Sequence, residues 1–238
     1  MAAVIPRIPT EITVHLGAPN ASAANVTVPF VSYIKNVASS EVYPTWEPSA
    51  LRANILAITS FALNRVYTEY YRSRGYPFDI TSSTAYDQAY VEGRNIFENI
   101  SQIVDVTFDT YIRRRGFVEP LAAKFCNGTT STCDGLSQWG SQALAQQGLN
   151  SLEILRRYYG DDIELVVNAP QAENIESYPG TALRLAAVGR DVVTMQAALN
   201  RISQNYPAIP KINPVNGIFT AQMEQAVRQF QQIFNLTA

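Results

Sequence analysis

The stretch from Pro48 to Tyr71 limits how this chain can fold more than any other. Leu51, Ile55, Ile58, Ala62, Val66 and Tyr70 recur at three- and four-residue steps and form one broad apolar stripe on a long helix. Such a stripe is hidden only when other elements pack along it. The start of the helix is marked as well. Pro44 stops whatever helix precedes it, and Pro48 suits the first position of the new one.

The neighbours are readable from the same rules. Ile12-Thr13-Val14-His15-Leu16 alternates as a strand does and ends at Gly17-Ala18-Pro19-Asn20, and Val26-Thr27-Val28 is a second strand. After Pro29 the spacing of Tyr33, Ile34, Val37, Ala38 and Glu41 predicts a helix. Gly75-Tyr76-Pro77 reads as a turn, 78–84 as irregular, and Tyr86, Gln88 and Tyr90 as a strand. A helix follows from Arg94 to Val104. Strands over 108–113 and 120–126 flank Arg113-Arg114-Arg115, which reads as a solvated turn. Then come a turn into a helix over 135–148, a helix over 152–159 and a strand over 163–167. The expected fold is helix-rich α+β with short strands, spanning 1–167. Residues 168–181, with Pro170, Pro179 and Gly180, read as a linker. A small helical module over 182–238 carries helices at Val192–Ile202 and Ala221–Phe234. Two helices make a thin core, so this tail is expected to lean on the first domain.

Charge is nearly balanced, 18 basic against 20 acidic residues, which argues against nucleic acid as a partner. No apolar run approaches the roughly 20 residues of a membrane span. Met1 to Glu11, with Pro6 and Pro9, lacks a basic region followed by an apolar one and does not read as a signal peptide. The chain has 13 Tyr, 10 Phe and 2 Trp, rings that pack cores or, when exposed, stack on the apolar faces of sugars. For Cys126 and Cys133 a local disulfide, free thiols and half of a metal site are all open; a zinc site wants four ligands, and the one histidine, His15, is distant in sequence.

Glu41 is out of place. It lies four residues after Val37 and eight after Tyr33, on the apolar face of its helix. An acid there is expected to be partly buried, burial favours a protonated carboxyl, and a protonated carboxyl can expel a glycosidic oxygen. Against this stands an ordinary helix-end acid, exposed or bonded to backbone near Pro44.

The run from Val31 to Trp46, with Tyr33, Glu41, Pro44 and Trp46, resembles the opening motif of the stage II sporulation protein D (SpoIID/LytB) family, a Tyr-led helix ending in a catalytic Glu. Ala50-Leu51-Arg52-Ala53-Asn54 is similar to the start of its next helix. Gln88, Tyr90 and Gly93 resemble its Gln-x-Tyr-x-x-Gly element. Gly135-Leu136-Ser137-Gln138-Trp139-Gly140-Ser141, Gly148, Glu153-Ile154-Leu155 and Tyr158-Tyr159 follow in the family's order. The resemblance implies a lytic transglycosylase of peptidoglycan with Glu41 as general acid and base. Gln88, Ser137 and Gln138 would be polar substrate contacts, and Trp46 and Trp139 would stack on sugars. Turn and helix capping is an equal reading for Ser137. Where relatives carry an Arg in the second helix, this chain has Ala57-Ile58-Thr59-Ser60-Phe61, with Ser60 nearest the place. The resemblance also leaves room for a structural zinc at Cys126 and Cys133, but no cofactor is expected.

Tyr178-Pro179-Gly180, Gly189-Arg190-Asp191-Val192, Gln196, Leu199, Gly217-Ile218-Phe219, Ala226-Val227, Phe230 and Phe234 resemble a peptidoglycan-binding domain. Thr220 and Met223 depart from its usual Gly and Thr, and the module reads as short. The implied partner is the glycan strand of peptidoglycan, and the implied location is the cell wall or spore. The competing reading is a non-catalytic wall-binding or spore structural protein. A zinc amidase or peptidase is disfavoured because one histidine cannot supply the usual ligands.

Overall fold

The computed structural model describes residues 6–172 and 182–236. The chain divides into two compact units, Met1–Glu173 and Asn174–Ala238. It is a helix-rich α+β protein whose strands are short and lie in small sheets.

The first unit runs β1 (Glu11–His15), β2 (Asn25–Pro29), α1 (Phe30–Glu41), α2 (Pro48–Tyr67), β3 (Ile80–Thr81), α3 (Glu98–Asp105), β4 (Tyr111–Arg114), β5 (Phe125–Cys126), β6 (Leu136–Ser137), α4 (Gln138–Gln146), α5 (Ser151–Tyr159) and β7 (Ile163–Val166). β1 lies between antiparallel β2 (Ile12 opposite Val28) and parallel β3 (Val14 opposite Ile80). β4 pairs antiparallel with β7, and β5 pairs in parallel with β6.

α2 is the axis of this unit. It is buried on nearly every side rather than along one stripe. Leu51, Ile55, Ile58 and Ala62 pack with α1 and the first sheet, while Ala50, Ala53, Leu56 and Ala57 face Ile112, Leu136, Ile154 and Leu155. Its buried polar residues hold segments that lack long ladders. Asn54 donates to Ser141 Oγ (2.7 Å), Ser60 Oγ accepts the N–H of Ile112 (2.8 Å), and Asn64 donates to the carbonyl of Pro120 (2.8 Å). A buried backbone donor needs such a partner where no strand supplies one.

Several elements differ from the sequence expectation. α2 stops at Tyr67 because Glu69 enters the left-handed region (φ 49°) and the N–H of Tyr70 reaches back to Arg65 O (3.0 Å), which caps the helix. Part of 78–84 is strand β3, whereas 86–90 is not a strand. α3 begins at Glu98, after an extended Phe97 whose N–H donates to Ser39 Oγ of α1 (3.3 Å). Arg113 and Arg114 are strand residues, not turn residues, and pair with Glu164 and Asp162 on the β7 side.

The expected linker over 168–181 is split by the described residues. Its first part is held to the first unit, with Ala169 N–H donating to Asp109 O and Ile8 N–H to Pro170 O, and 173–181 lies outside the described residues.

In the second unit α6 (Arg190–Ile202) and α7 (Ala221–Ile233) enclose Val192, Leu199, Ile209, Ile212, Phe219 and Met223. Both departures from the domain pattern have a physical role here. Thr220 caps α7 by accepting the N–H of Met223 (3.3 Å), and Met223 fills the core. Among the described residues no helix is long and apolar enough to cross a membrane.

Burial pushes the phenols of Tyr33, Tyr71, Tyr90, Tyr111, Tyr158 and Tyr159 above the ordinary 10.0. The folded state therefore holds these protons more tightly than the unfolded chain. The resulting stability is fully present below the unfolded value and is lost as pH climbs through the folded ones. Melting temperature should hold steady to about pH 9 and fall steeply by about pH 11. A melt unchanged at the higher pH would contradict this burial.

Candidate active site

The site is assembled on the C-terminal half of α1. Asn36 and Ser39 on this helix are buried, and Glu41 is half-buried. Together they hold a loop that has no ladder partner. Asn36 Nδ2 donates to Val91 O (2.7 Å) and its Oδ1 accepts Val91 N–H (2.9 Å). Ser39 Oγ accepts Phe97 N–H (3.3 Å), and Glu41 Oε1 accepts Ala89 N–H (2.9 Å). The second oxygen of Glu41 accepts from Gln138 Nε2 (3.0 Å), at the start of α4. Three separate segments thus meet at one carboxyl, which also lines an open cleft of about 670 Å³.

The same loop is anchored on its other side by Asp87, whose side chain is fully buried. Asp87 accepts from Arg65 Nε (2.8 Å), Tyr71 Oη (2.6 Å), and both the N–H (3.0 Å) and hydroxyl (2.6 Å) of Thr81. The Arg65 guanidinium lies over the Tyr70 ring, 3.7 Å from its centre. Charge, ring face and four donors leave Asp87 little freedom.

The residues expected to touch substrate fall into two groups. Gln138 lines the cleft beside Glu41. Gln88 does not: it is fully buried, accepts from Tyr33 Oη (3.0 Å) and donates to Ile58 O (3.1 Å), so both ends of its amide are used inside the protein. Its place between Asp87 and Ala89 makes it a prop for the loop instead of a sugar contact. Ser137 is the N-cap of α4 and accepts the N–H of Gly140 (3.0 Å). Side chains at Gly135 or Gly140 would collide with Lys124 O or Tyr158 Oη, which explains the small residues around Gln138. Trp46 is 8% exposed and Trp139 40%, with ring centres 5.0 Å apart. Tyr43, which lines the cleft and is 58% exposed, completes this cluster.

Cys126 and Cys133 form a disulfide with Cα atoms 6.0 Å apart, so neither sulfur is the thiolate that zinc binds. Among the described residues no three His, Cys, Asp or Glu side chains cluster to hold a metal. Ser60 is fully buried and ties α2 to β4, and the donors on Glu41 come from Ala89 and Gln138.

Sequence reasoning passed over Tyr43, Asn36, Asp87 and Arg94. Asn36 carried the same signal as Glu41, a polar residue three after Tyr33 on an apolar helical face. Arg94 carried none, yet its side chain lines the cleft with Glu41.

Residues 20–113 match the family described as Stage II sporulation protein, and residues 188–238 match the peptidoglycan binding domain family. No curated protein matches the chain. The two domains tie the chain to the peptidoglycan of the cell wall and to sporulation. Asp87→Ala would strand the largely buried Arg65 without its counter-charge. Urea denaturation should show a loss of about 3–5 kcal/mol, and a loss below about 1 kcal/mol would contradict its anchoring role.

Proposed function

We propose that this chain, which carries a SpoIID domain and a C-terminal peptidoglycan-binding domain, is a lytic transglycosylase with Glu41 as its general acid and base. The observation that carries this reading is a carboxyl open to a cleft, with each of its oxygens held by a single N–H donor. Carboxyl orientation is then set before substrate arrives, which general acid catalysis rewards.

The chemistry needs only one such group. Glu41 gives its proton to the oxygen between N-acetylmuramic acid and N-acetylglucosamine as the bond from that oxygen to the muramic anomeric carbon breaks. The carboxylate left behind takes the proton of the muramic C6 hydroxyl, and the C6 oxygen bonds to the same anomeric carbon. The product is a 1,6-anhydro ring, and Glu41 regains its proton. No water is consumed, so the second carboxylate that a hydrolase uses to activate water is dispensable. Gln138 steadies Glu41 through the cycle. Arg94, a cation in the same cleft, offers guanidinium N–H groups to hydroxyl, acetamido or carboxylate oxygens of the strand. The C-terminal domain holds the chain on the wall while the first domain acts.

A second reading, a wall-binding protein without chemistry, is favoured by Ser60 standing near the place of the relatives' Arg. The two separate on one experiment. Purified peptidoglycan, intact or stripped of stem peptides, is incubated with the protein in ¹⁸O-water, and released fragments are weighed by mass spectrometry. The transglycosylase reading predicts anhydro-muramic ends without ¹⁸O. Glu41→Gln should keep fold and wall binding while release falls by at least about a hundredfold. Release carrying ¹⁸O would mean hydrolysis, and no release with binding retained would leave the second reading.

A further inference from the structure

We infer that the Cys126–Cys133 disulfide is the reactive site of a redox control on Glu41. A dithiol, free or carried by a protein, opens the bridge, and the opened form holds Gln138, and through it Glu41, less firmly. The effect on cleavage rests on the reading of Glu41 as a glycan-cleaving acid; the effect on order rests on geometry.

The place of the bridged loop is the first observation. Phe125, Cys126, Asn127 and Ser131 line the same cleft as Glu41, so the segment that the disulfide closes is one wall of the site. The two chain neighbours of Gln138 both touch this segment. Ser137 pairs with Cys126 across β5 and β6, and a Cβ added to Gly128 would collide with Ser137 Oγ. The loop backbone therefore lies directly on the residue that caps α4. On the other side Trp139 N–H donates to Asn127 O (3.2 Å). Gln138, held between them, donates to Glu41 Oε2 (3.0 Å).

How little else fixes the loop is the second observation. At its base the chain is firm, because Lys124 O accepts from Leu136 N–H (3.0 Å) and Tyr159 Oη (2.7 Å). Beyond the base, Thr129 to Asp134 are exposed. Asn127 Oδ1 accepts the N–H groups of Thr129 (3.1 Å) and Thr130 (3.2 Å), and Gly128 N–H donates to Ser131 O (2.8 Å). These bonds stay within the loop and shape it without fastening it to the fold. The disulfide joins positions 7 apart and so removes most of the conformations the loop would otherwise sample.

Access to the bridge is the third observation. Cys133 is exposed and Cys126 half-buried. An incoming thiolate attacks Cys133 Sγ, the S–S bond breaks, and its electron pair leaves on Cys126 Sγ, which takes a proton from water. The second thiolate of the dithiol then attacks the mixed disulfide and frees Cys133 Sγ, which is protonated in turn. The protein's sulfurs are reduced and the dithiol is oxidised to its own disulfide. Disulfides persist where the surroundings are oxidising, so the ordered form is the one present outside a reducing compartment.

The test compares intact oxidised protein, the same protein treated with dithiothreitol without denaturant, and a Cys126→Ser/Cys133→Ser variant checked for native circular dichroism. Thiol titration should find both cysteines free after dithiothreitol. Amide hydrogen exchange, followed residue by residue by NMR, should quicken about tenfold at Gly128, Trp139 and Ala89 while α2 is unchanged. Release of anhydro product from peptidoglycan should fall about tenfold, and oxidised glutathione should restore it. The serine variant should match the reduced protein and ignore dithiothreitol. A bridge that native dithiothreitol cannot open, or free thiols with exchange at Trp139 and Ala89 unaltered, would overturn the control, and wild-type reoxidation decides the matter if the variant does not fold. If exchange responds but neither form releases product, the cleavage reading fails and the effect on order stands. If both forms release product equally fast, the control fails and cleavage stands.

Discussion

The backbone N–H of Ala89 and the side-chain amide of Gln138 each take one oxygen of Glu41, and the rest of the site depends on that pair of hydrogen bonds. Ala89 belongs to a loop with no strand partner, so its position is only as fixed as its anchors. Those anchors are side chains: Asn36 and Ser39 from α1, Asp87 with Arg65 and Tyr71, and Gln88 with Tyr33. Each replaces a ladder hydrogen bond with one made by a side chain, which places a backbone donor at a carboxyl and leaves the other side of the loop free to line a cleft.

α2 makes this arrangement affordable. Being buried on nearly every side, it supplies apolar surface to two clusters at once, and its alanines let neighbours come close. Stability concentrated there permits a periphery built from two-residue strands and irregular segments, and the cleft lies in that periphery. Asn54, Ser60 and Asn64 extend the same logic, each holding a segment that regular structure does not reach.

The helices were legible because each buries a face whose apolar residues repeat at three and four positions; α1, α6 and α7 follow their sequence pattern closely. β3 was not, since two residues carry no period and Ile80–Thr81 is a strand only because β1 lies beside it. The alternation of Tyr86, Gln88 and Tyr90 imitated a strand. Its real cause is that Gln88 and its neighbours are pinned from the side, with Gln88 turned into the core and Tyr86 left outside. Glu41 could be found from its misplacement on an apolar face, but its partner Ala89 could not, because a backbone N–H is the same in every sequence. The spacing of Cys126 and Cys133 likewise suited a disulfide, thiols or a metal, and only the fold joins the two sulfurs.

The central claim is that Glu41 is held ready to meet a glycosidic oxygen. A crystal structure of the Glu41→Gln protein with a muramic-containing glycan tetrasaccharide tests it most directly. The account predicts a glycosidic oxygen within about 3 Å of the residue 41 side chain, with the Ala89 and Gln138 contacts in place. A strand seated away from this cleft, or residue 41 turned from the bond, would contradict it.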